Sequence, residues 1–594
     1  MQRMQHPWKG RGWGVVLWFP NKGKGDGFTR WCSVSVKEDS CFLRKNNRSS
    51  FLVDPSMEFY ASLFLFLASI SVIFAQYVQE SELVINASLP MAHTDPNYIC
   101  ATIDWWPDDK CNYNHCPWGS SSALNLDLSH PILAKAVQAF ERLRIRVGGS
   151  LQDQVVYNVG DFSGLCHPFI RMKGGLFGFS KGCLCMDRWD ELNQFFDKTR
   201  ALVTFGLNAL RGRHQIKKGV WGGNWNSSNA HDLIKYTISK GYQIDSWEFG
   251  NELSGKGIGA MVHAEQYGFD LIELRGIIDN LYRQFQPKPL LVAPGGFFDK
   301  QWFAKLLKIS GSKIVDVMTL HMYNLGPGVD PNLVKKILDP HFLSRASITF
   351  GDLQQTIQTN GPWASSWIGE SGGAYNSGGL HVSDTFVNSF WYLDQLAMAA
   401  KYHTEVYCRQ SLVGGNYGLL NKTTFVPNPD YYSALLWHRL MGTGVLAVER
   451  INAGPHLRSY AHCSKGKAGI TLLLINLSNQ TEFQLKIHNI LNLNLPTTKP
   501  KNESFIHQLK STFSWVGSKS TDEKLSREEY HLTPQDGNIR SKTMLLNGVP
   551  LELTETGDIP DLKPAMVDVD SPICIAPLTI KFIQFPSFDA CGCK

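Results

Sequence analysis

The order of apolar and polar segments between about Asn97 and Gly442 predicts an α/β fold, a (β/α)8 TIM barrel with a C-terminal all-β sandwich domain. Three observations lead there. Eight short, β-branched apolar runs alternate with helical patterns, the order of a parallel sheet with crossover helices. No Gly-rich dinucleotide fingerprint follows the first run, which favours a closed barrel over an open doubly wound sheet. After Gly442 the pattern changes to alternating strands and turns.

The chain opens with residues 1–56, read as an N-terminal extension absent from the mature protein. They lie upstream of a run, Phe59 to Ala75, that follows Met57 and Glu58 and stops before polar Gln76. Residues 57–75 have the shape of a secretory signal, although the positive n-region is missing. A transmembrane anchor is the rival reading, but a run of 17 residues is marginal for a span and no basic stop-transfer flank follows. Peripheral association with a membrane stays open. Residues 76–96 read as a strand segment joining the sandwich, 97–442 as the barrel and 443–594 as the sandwich.

Residues 1–75 hold 10 Lys/Arg against 5 Asp/Glu, so they carry +5 of the formal +6 and the remainder is near +1. A nearly neutral chain offers no footprint for nucleic acid or for a densely sulfated polyanion. Eleven cysteines follow Ala75, an odd count that leaves at least one thiol unpaired. Cys100, Cys111 and Cys116 with His115 form a possible zinc cluster, but in an exported chain disulfides are the better reading. Sequons at Asn86, Asn226, Asn421, Asn476, Asn479 and Asn502 fit glycosylated surface loops. These features place the protein in the secretory route, extracellular or in a cell wall, with lysosome or vacuole as the alternative.

The eight strand candidates are Tyr98 to Asp104, Arg144 to Gly149, Leu202 to Asn208, Ser246 to Asn251, Leu290 to Pro294, Val315 to Met322, Ser366 to Gly369 and Glu405 to Leu412. Between them, Asp187 to Thr199 carries Trp189, Leu192, Phe195 and Phe196 on one helical stripe, which core packing explains without a cofactor box. Further helix is expected over His263 to Phe285. Asp104, Asn208, Glu252, His321, Glu370 and Gln410 stand at predicted carboxyl ends of strands. In a barrel that end carries the active site, so these side chains should converge.

Two glutamates stand out. Trp247 to Glu252 ends in an Asn-Glu pair at the mouth of the fourth strand, the position of a proton donor in glycosidases of this fold, with Asn251 placed for a sugar 2-hydroxyl. Asn-Glu recurs at Asn502-Glu503, but in a Lys-rich, sequon-bearing stretch that reads as exposed loop. Glu370, in Trp367 to Gly373 at the end of the seventh strand, lies among glycines that let a sugar ring approach. Glycoside hydrolysis needs two carboxyl groups flanking the anomeric carbon, about 5–5.5 Å apart in retaining enzymes. Strands four and seven can supply its two sides. Glu252 is therefore expected to be general acid/base and Glu370 nucleophile, with the charge of Glu370 raising the pKa of Glu252. The chemistry needs no metal or cofactor.

The motifs CATIDWW, RVGGSLQD, GLNAL, WEFGNEL, APGGFFD, HMYNLGPGVD, WIGESGGAYNSG, YCRQSLVGGNYGLL and NPDYYSALLWHRLMG resemble the plant heparanase-like proteins, β-glucuronidase-type members of glycoside hydrolase family 79. The likeness runs from roughly Asn86 to the C-terminus. It implies a barrel plus β-sandwich, retention of configuration and the same assignment of Glu252 and Glu370. It further implies sugar-binding roles for Asp104, Asn251, His321, Tyr323, Tyr375, Gln410, Asn416 and Tyr417. Two departures from animal heparanase matter. Glycines that there offer backbone amides to a glucuronate carboxylate are here Asn376 and Ser377, after Tyr375. Basic residues that grip sulfate are thinned, with Gly326-Pro327 in place of an expected arginine, and no long excisable linker separates strands two and three.

The expected protein is thus a single-chain retaining β-glycosidase for β-glucuronosyl linkages in glycans or proteoglycans, with wall arabinogalactan side chains favoured. Alternatives are a glycosidase for a neutral sugar and a catalytically silent glycan-binding wall protein. The signal reading has a direct check: N-terminal sequencing of the secreted protein should find a chain starting near Gln76, and recovery of Trp8 to Pro55 would refute it.

Overall fold

The computed structural model describes residues 77–493 and 525–593. The extension, the apolar run Phe59 to Ala75 and Asn502 lie outside them. Eight parallel strands close a barrel in chain order: Ile99–Ile103, Arg144–Val147, Leu202–Leu207, Ser246–Phe249, Leu290–Gly296, Val317–Met322, Ser365–Ser371 and Thr404–Arg409. Each falls on one of the expected runs. Their residues are almost all buried, because a barrel strand faces the packed interior on one side and the helical layer on the other. That double burial is why the runs read as continuous rather than alternating.

The helices keep the expected faces. Met186–Thr199 buries Trp189, Leu192, Phe195 and Phe196, and Ala264–Leu281 covers the outer side further round the ring. Phe386–Lys401 is buried along nearly its whole circumference, since the strand-rich region covers the side the barrel leaves free.

Inside the barrel the layers differ sharply. At the amino-terminal end Cys100, Val292, Val317, Trp367, Val406 and Cys408 form an apolar plug, with the Arg144 guanidinium over the Trp367 ring at 4.5 Å and paired to Asp245. Above it the inward positions turn polar: Thr102, Thr204, Ser246, Glu248, Thr319 and Arg146. The fold thus stands on the lower layer and presents chemistry on the upper one.

Beyond the barrel, Met441–Ile451 is a long strand shared by two ladders. One continues through Leu457–Ser464, Ile470–Asn476, Ile580–Phe585 and Ser526–Pro534; the other pairs Tyr77–Asn86 with Thr481–Asn489 and Ile573–Ile575. Leu83, Ile85, Leu446, Leu472, Phe483, Ile575 and Ile583 from both ladders share one apolar cluster, which makes the arrangement a sandwich. Asn547-Gly548 turns a two-residue hairpin between Leu546 and Val549, both residues at positive φ as a type I′ turn requires. A buried pair, Arg458 to Asp394 at 2.7 Å, with Tyr460 donating to Asp394 at 2.6 Å, ties the sandwich to Phe386–Lys401.

One expectation is corrected here, and the preference for disulfides over zinc is met. Asn476 does not lie in a glycosylated surface loop: it is fully buried in a central strand, and its amide donates to the carbonyls of Thr481, Ile575 and Ala576. A glycan there would have to replace those bonds. Asn226 and Asn479 are exposed, and Asn86 and Asn421 half-exposed. The cysteines pair as Cys100–Cys408, Cys111–Cys116, Cys166–Cys183 and Cys463–Cys593, so those beside His115 are disulfide-bonded rather than zinc ligands. Cys185, Cys574 and Cys591 keep free thiols, more than parity alone demanded. Among the described residues no helix is long and apolar enough to cross a membrane.

Cys100–Cys408 joins the first barrel strand to the last across 308 residues, at the seam where Ile99–Ala101 pairs with Tyr407–Arg409. Cross-linking so long a loop restricts the unfolded chain strongly. We expect Cys100→Ala with Cys408→Ala to lower stability by about 2–5 kcal/mol, read by thermal or denaturant unfolding under oxidising conditions.

Candidate active site

At the carboxyl end, strand four stops at Phe249 and the chain turns through Gly250, at φ 69°, to Asn251 and Glu252. Glu252 itself sits at φ 56°, a left-handed conformation costing a non-glycine residue about 1–2 kcal/mol. The surroundings hold it: its amide donates to Gly295 O at 2.6 Å, and Asn251 N donates to Asp153 Oδ2 at 2.8 Å. Such strain, upheld by neighbours, is common at functional positions.

On strand seven, pairing with strand six slips between Leu320/Ile368 and His321/Glu370, so Gly369 is an extra residue in the ladder. A bulge of this kind shifts the alternation of side chains. Here it lets Trp367 enter the lower plug while Glu370 turns to the same axis one layer higher.

The centre of the site is Arg146, buried on strand two. Its Nε donates to Glu248 Oε2 at 2.7 Å, one terminal nitrogen to Glu370 Oε2 at 2.9 Å and the other to Asn251 Oδ1 at 2.8 Å. The second oxygen of Glu370 accepts from Tyr323 Oη at 2.6 Å. Glu252 Oε1 lies 3.0 Å from His321 Nδ1. Burial lowers the pKa of His321 to about 3, so this contact is a hydrogen bond with a neutral ring rather than an ion pair. His321 Nε2 faces no protein partner among the described residues.

Glu252 is pushed up to about 7 by burial, with the Arg146 charge working against the rise. The expected cause, the charge of Glu370, is not what raises it; desolvation is. Asp104 also rises to about 7, through burial first and the Glu370 charge second, while Gln410 Nε2, the Trp105 amide and Arg146 hold it down. Oxygens of Glu252 and Glu370 and a nitrogen of His321 lie within 4.8 Å of one another. This is the grouping among the described residues that could hold a metal ion. Arg146 already supplies Glu370 with a positive partner, which disfavours a second cation there.

Of the residues expected to bind sugar, Asp104, Asn251, His321, Tyr323, Gln410 and Tyr417 come together around the carboxylates. Thr102 donates to Gln410, which donates to Asp104, and Tyr417 interacts with both Gln410 and Tyr323. Tyr375 stands further out, 42% exposed, on a short ladder with Pro327. Asn416 donates to Gly378 O at 3.1 Å, bracing a loop at the rim. Ser377 accepts from Asn112 Nδ2 and Trp118 Nε1 at 2.7 and 3.0 Å, so the disulfide-closed loop Cys111–Cys116 is anchored to the mouth.

Arg146, Glu248 and Asp153 were missed as site residues, although Arg146 and Asp153 lie in RVGGSLQD and Glu248 in WEFGNEL. The available signal was an arginine between Ile145 and Val147 and a glutamate between Trp247 and Phe249: charge inside a barrel strand must be paired or cost heavily. Lys110 was missed too; its ammonium rests 4.1 Å over the Trp106 ring in the field of Asp104 and has no carboxylate partner among the described ion pairs.

Residues 80–397 match glycosyl hydrolase family 79, N-terminal domain. The chain is 61% identical to heparanase-like protein 1 of Arabidopsis thaliana over 521 residues, 88% of this chain and 96% of that protein. It is 40% identical to baicalin-beta-D-glucuronidase of Scutellaria baicalensis over 530 residues, 86% and 94% of the two. A 4-O-alpha-L-rhamnosyl-beta-D-glucuronidase of Fusarium oxysporum shares the fold with a TM-score of 0.57 at 14% identity, over 85% of this chain and the whole of that one.

Removing Arg146 leaves Glu248 buried without its cation, and Glu248 already has a carboxyl pKa raised by burial against the pull of Arg146. Arg146→Met should therefore cost about 3–5 kcal/mol of stability near neutral pH. Adding Glu248→Gln should recover part of the loss, a coupling that denaturant unfolding of the two single variants and the double variant will measure.

Proposed function

The chain belongs to glycosyl hydrolase family 79 and is a glycoside hydrolase, and from that premise we propose that it is a secreted, retaining β-glucuronidase. Glu370 attacks the anomeric carbon while the proton of Glu252 passes to the leaving oxygen, so the glycosidic C–O bond breaks as the glycosyl ester forms. Glu252, now a carboxylate, takes a proton from water; the oxygen of that water attacks the same carbon and Glu370 departs. Two inversions return the original configuration.

The observation that carries this reading is the closeness of the two carboxylates, whose oxygens approach within 4.8 Å. That fits the roughly 5–5.5 Å spacing of retaining enzymes better than the about 6.5–9.5 Å of inverting ones. The division of labour follows from environment. Glu252, desolvated and next to a neutral imidazole, holds a proton up to about pH 7. Glu370 has one oxygen on Arg146 and the other on Tyr323, which fixes its direction of attack. Asp104, Asn251, His321, Gln410 and Tyr417 supply the polar ring for the sugar hydroxyls, and Tyr375 and Asn416 extend it toward the rim.

A glucuronide is favoured over a neutral sugar by the baicalin glucuronidase and heparanase-like relatives and by the Lys110 ammonium, which lies over the Trp106 ring in the field of Asp104 and has no carboxylate partner among the described ion pairs. The near-neutral charge after Ala75 favours weakly sulfated chains, such as wall arabinogalactan, over heparan sulfate. Four disulfides agree with an oxidising compartment. Residues 97–442 are the catalytic barrel in this reading, 443–594 with 76–96 the supporting sandwich, and Asn86, Asn226, Asn421 and Asn479 the glycan sites.

The experiment is a pair of substitutions read on two leaving groups. Glu252→Gln should nearly abolish cleavage of an alkyl glucuronide but spare the first step on a nitrophenyl glucuronide, which departs without protonation; Glu370→Gln should abolish both. Azide should revive Glu252→Ala on the nitrophenyl substrate and give the β-azide. A β-azide from the Glu370 variant instead would reverse the roles. The raised pKa adds a pH test. Glu252 is protonated below about 7, so kcat/KM for the alkyl glucuronide should fall as pH rises through 7. The nitrophenyl substrate should lack that limb; if it keeps it, another group such as Asp104 titrates.

A further inference from the structure

Protonation by Glu252 places the departing group on Glu252's side of the anomeric carbon, so the wall there meets the aglycone; this step rests on the assignment proposed above. Phe297 stands in that wall. It follows strand five directly, and its carbonyl accepts from Ser254 Oγ, two residues past Glu252, at 3.0 Å. A Cβ on the preceding Gly296 would lie 3.2 Å from the Glu252 Cα, so the backbone of the two segments touches.

The two phenylalanines of this turn have opposite fates. Phe298 is half-buried, packing on Phe303 at 5.0 Å and against the core. Phe297 is 38% exposed, and its ring sits 6.3 Å from that of Tyr323, the tyrosine whose hydroxyl donates to Glu370. A single exposed aromatic is ordinary on a protein surface. One that spans the segment of the acid and the tyrosine of the nucleophile, at the rim of a polar site, is not accounted for by packing, since Phe298 already anchors the turn.

We propose that Phe297, with Tyr323 beside it, forms an aglycone subsite selecting leaving groups that present a flat apolar ring face, either an aryl ring or the C–H face of a pyranose. Stacking on such a face removes apolar surface from water and is blind to charge. It gives the enzyme a means of choosing what the glucuronosyl unit is attached to, separate from recognition of that unit.

The test compares leaving groups of similar acidity, so that chemistry does not mask contact. For the full-length protein, kcat/KM on benzyl β-glucuronide and on β-glucuronosyl-(1→6)-galactose should each exceed that on methyl β-glucuronide. In Phe297→Ala the benzyl-to-methyl ratio should fall by about tenfold, and Phe297→Tyr should keep it. A fall for the benzyl ratio alone assigns the subsite to aryl groups, a fall for the galactose ratio alone to pyranoses, and no change in either overturns it. A proportional loss on all three substrates also overturns it, since Phe297 would then merely brace Tyr323. Dissociation constants of the S-benzyl and S-methyl thioglucuronides, which resist hydrolysis, read the same contact without turnover. A wild-type preference for the S-benzyl compound that Phe297→Ala abolishes, in a protein that cleaves no glucuronide, would sink the glucuronidase reading and keep the subsite; equal affinities in wild type and variant would sink the subsite alone.

Discussion

A guanidinium buried inside a barrel has to be neutralised where it stands, and Arg146 imposes that condition on strands two, four and seven at once. Glu248 satisfies its Nε, Glu370 and Asn251 its terminal nitrogens. An unpaired charge at this depth would cost several kcal/mol, so the three partners are bound to one geometry. Both carboxylate-bearing ends follow from it. Glu370 is gripped directly, while Asn251 is fixed beside Arg146 and sets the backbone from which Glu252 emerges one residue later.

The same arginine separates the electrostatics of the two glutamates. It donates to Glu370 but reaches Glu252 only through space, as a minor influence against the rise that burial causes. Glu252 has for a neighbour the neutral ring of His321, itself stripped of charge by burial. One carboxyl group is therefore hydrogen-bonded on both oxygens by strong donors and the other is desolvated, the kind of difference in environment that the proposed division into nucleophile and acid requires.

The barrel was legible because parallel strands buried on both faces leave continuous apolar runs that turn signals interrupt, and all eight could be counted. Glu252 and Glu370 were legible because they follow such runs among aromatics and glycines. What failed was whatever depends on the third dimension. Arg146 and Glu248 stand out as charges inside apolar strands, but that they pair with each other, and with Glu370 and Asn251, is visible only once the sheet closes. The shift of Glu252 was traced to the wrong cause, because like-charge repulsion can be inferred from two nearby carboxylates whereas depth of burial cannot. Asn476 carries a legal sequon, yet its strand is central, and only the ladder reveals that its amide is spent on three carbonyls. The slip at Gly369 that re-aims Glu370 is invisible in a run that reads simply as strand.

A site of this kind concentrates unfavourable features together: desolvated carboxyl groups at Glu252 and Asp104, a left-handed glutamate and a His321 nitrogen without a partner among the described residues. None of these stabilises the fold, and a marginally stable domain tolerates them only if stability comes from elsewhere. The lower barrel supplies it through the plug of Val292, Val317, Trp367 and Val406 and the disulfide across the seam. The sandwich supplies it from outside, covering Phe386–Lys401, the helix that leads from strand seven to strand eight, and clamping it through Arg458 to Asp394. Glu370 lies at the top of the strand that enters this helix and Gln410 just past the strand that leaves it, so the outer clamp bears on the spacing between Glu370 and the Gln410–Asp104 pair. The strand-rich region therefore acts on the site without touching it, by holding rigid the unit from which these side chains project.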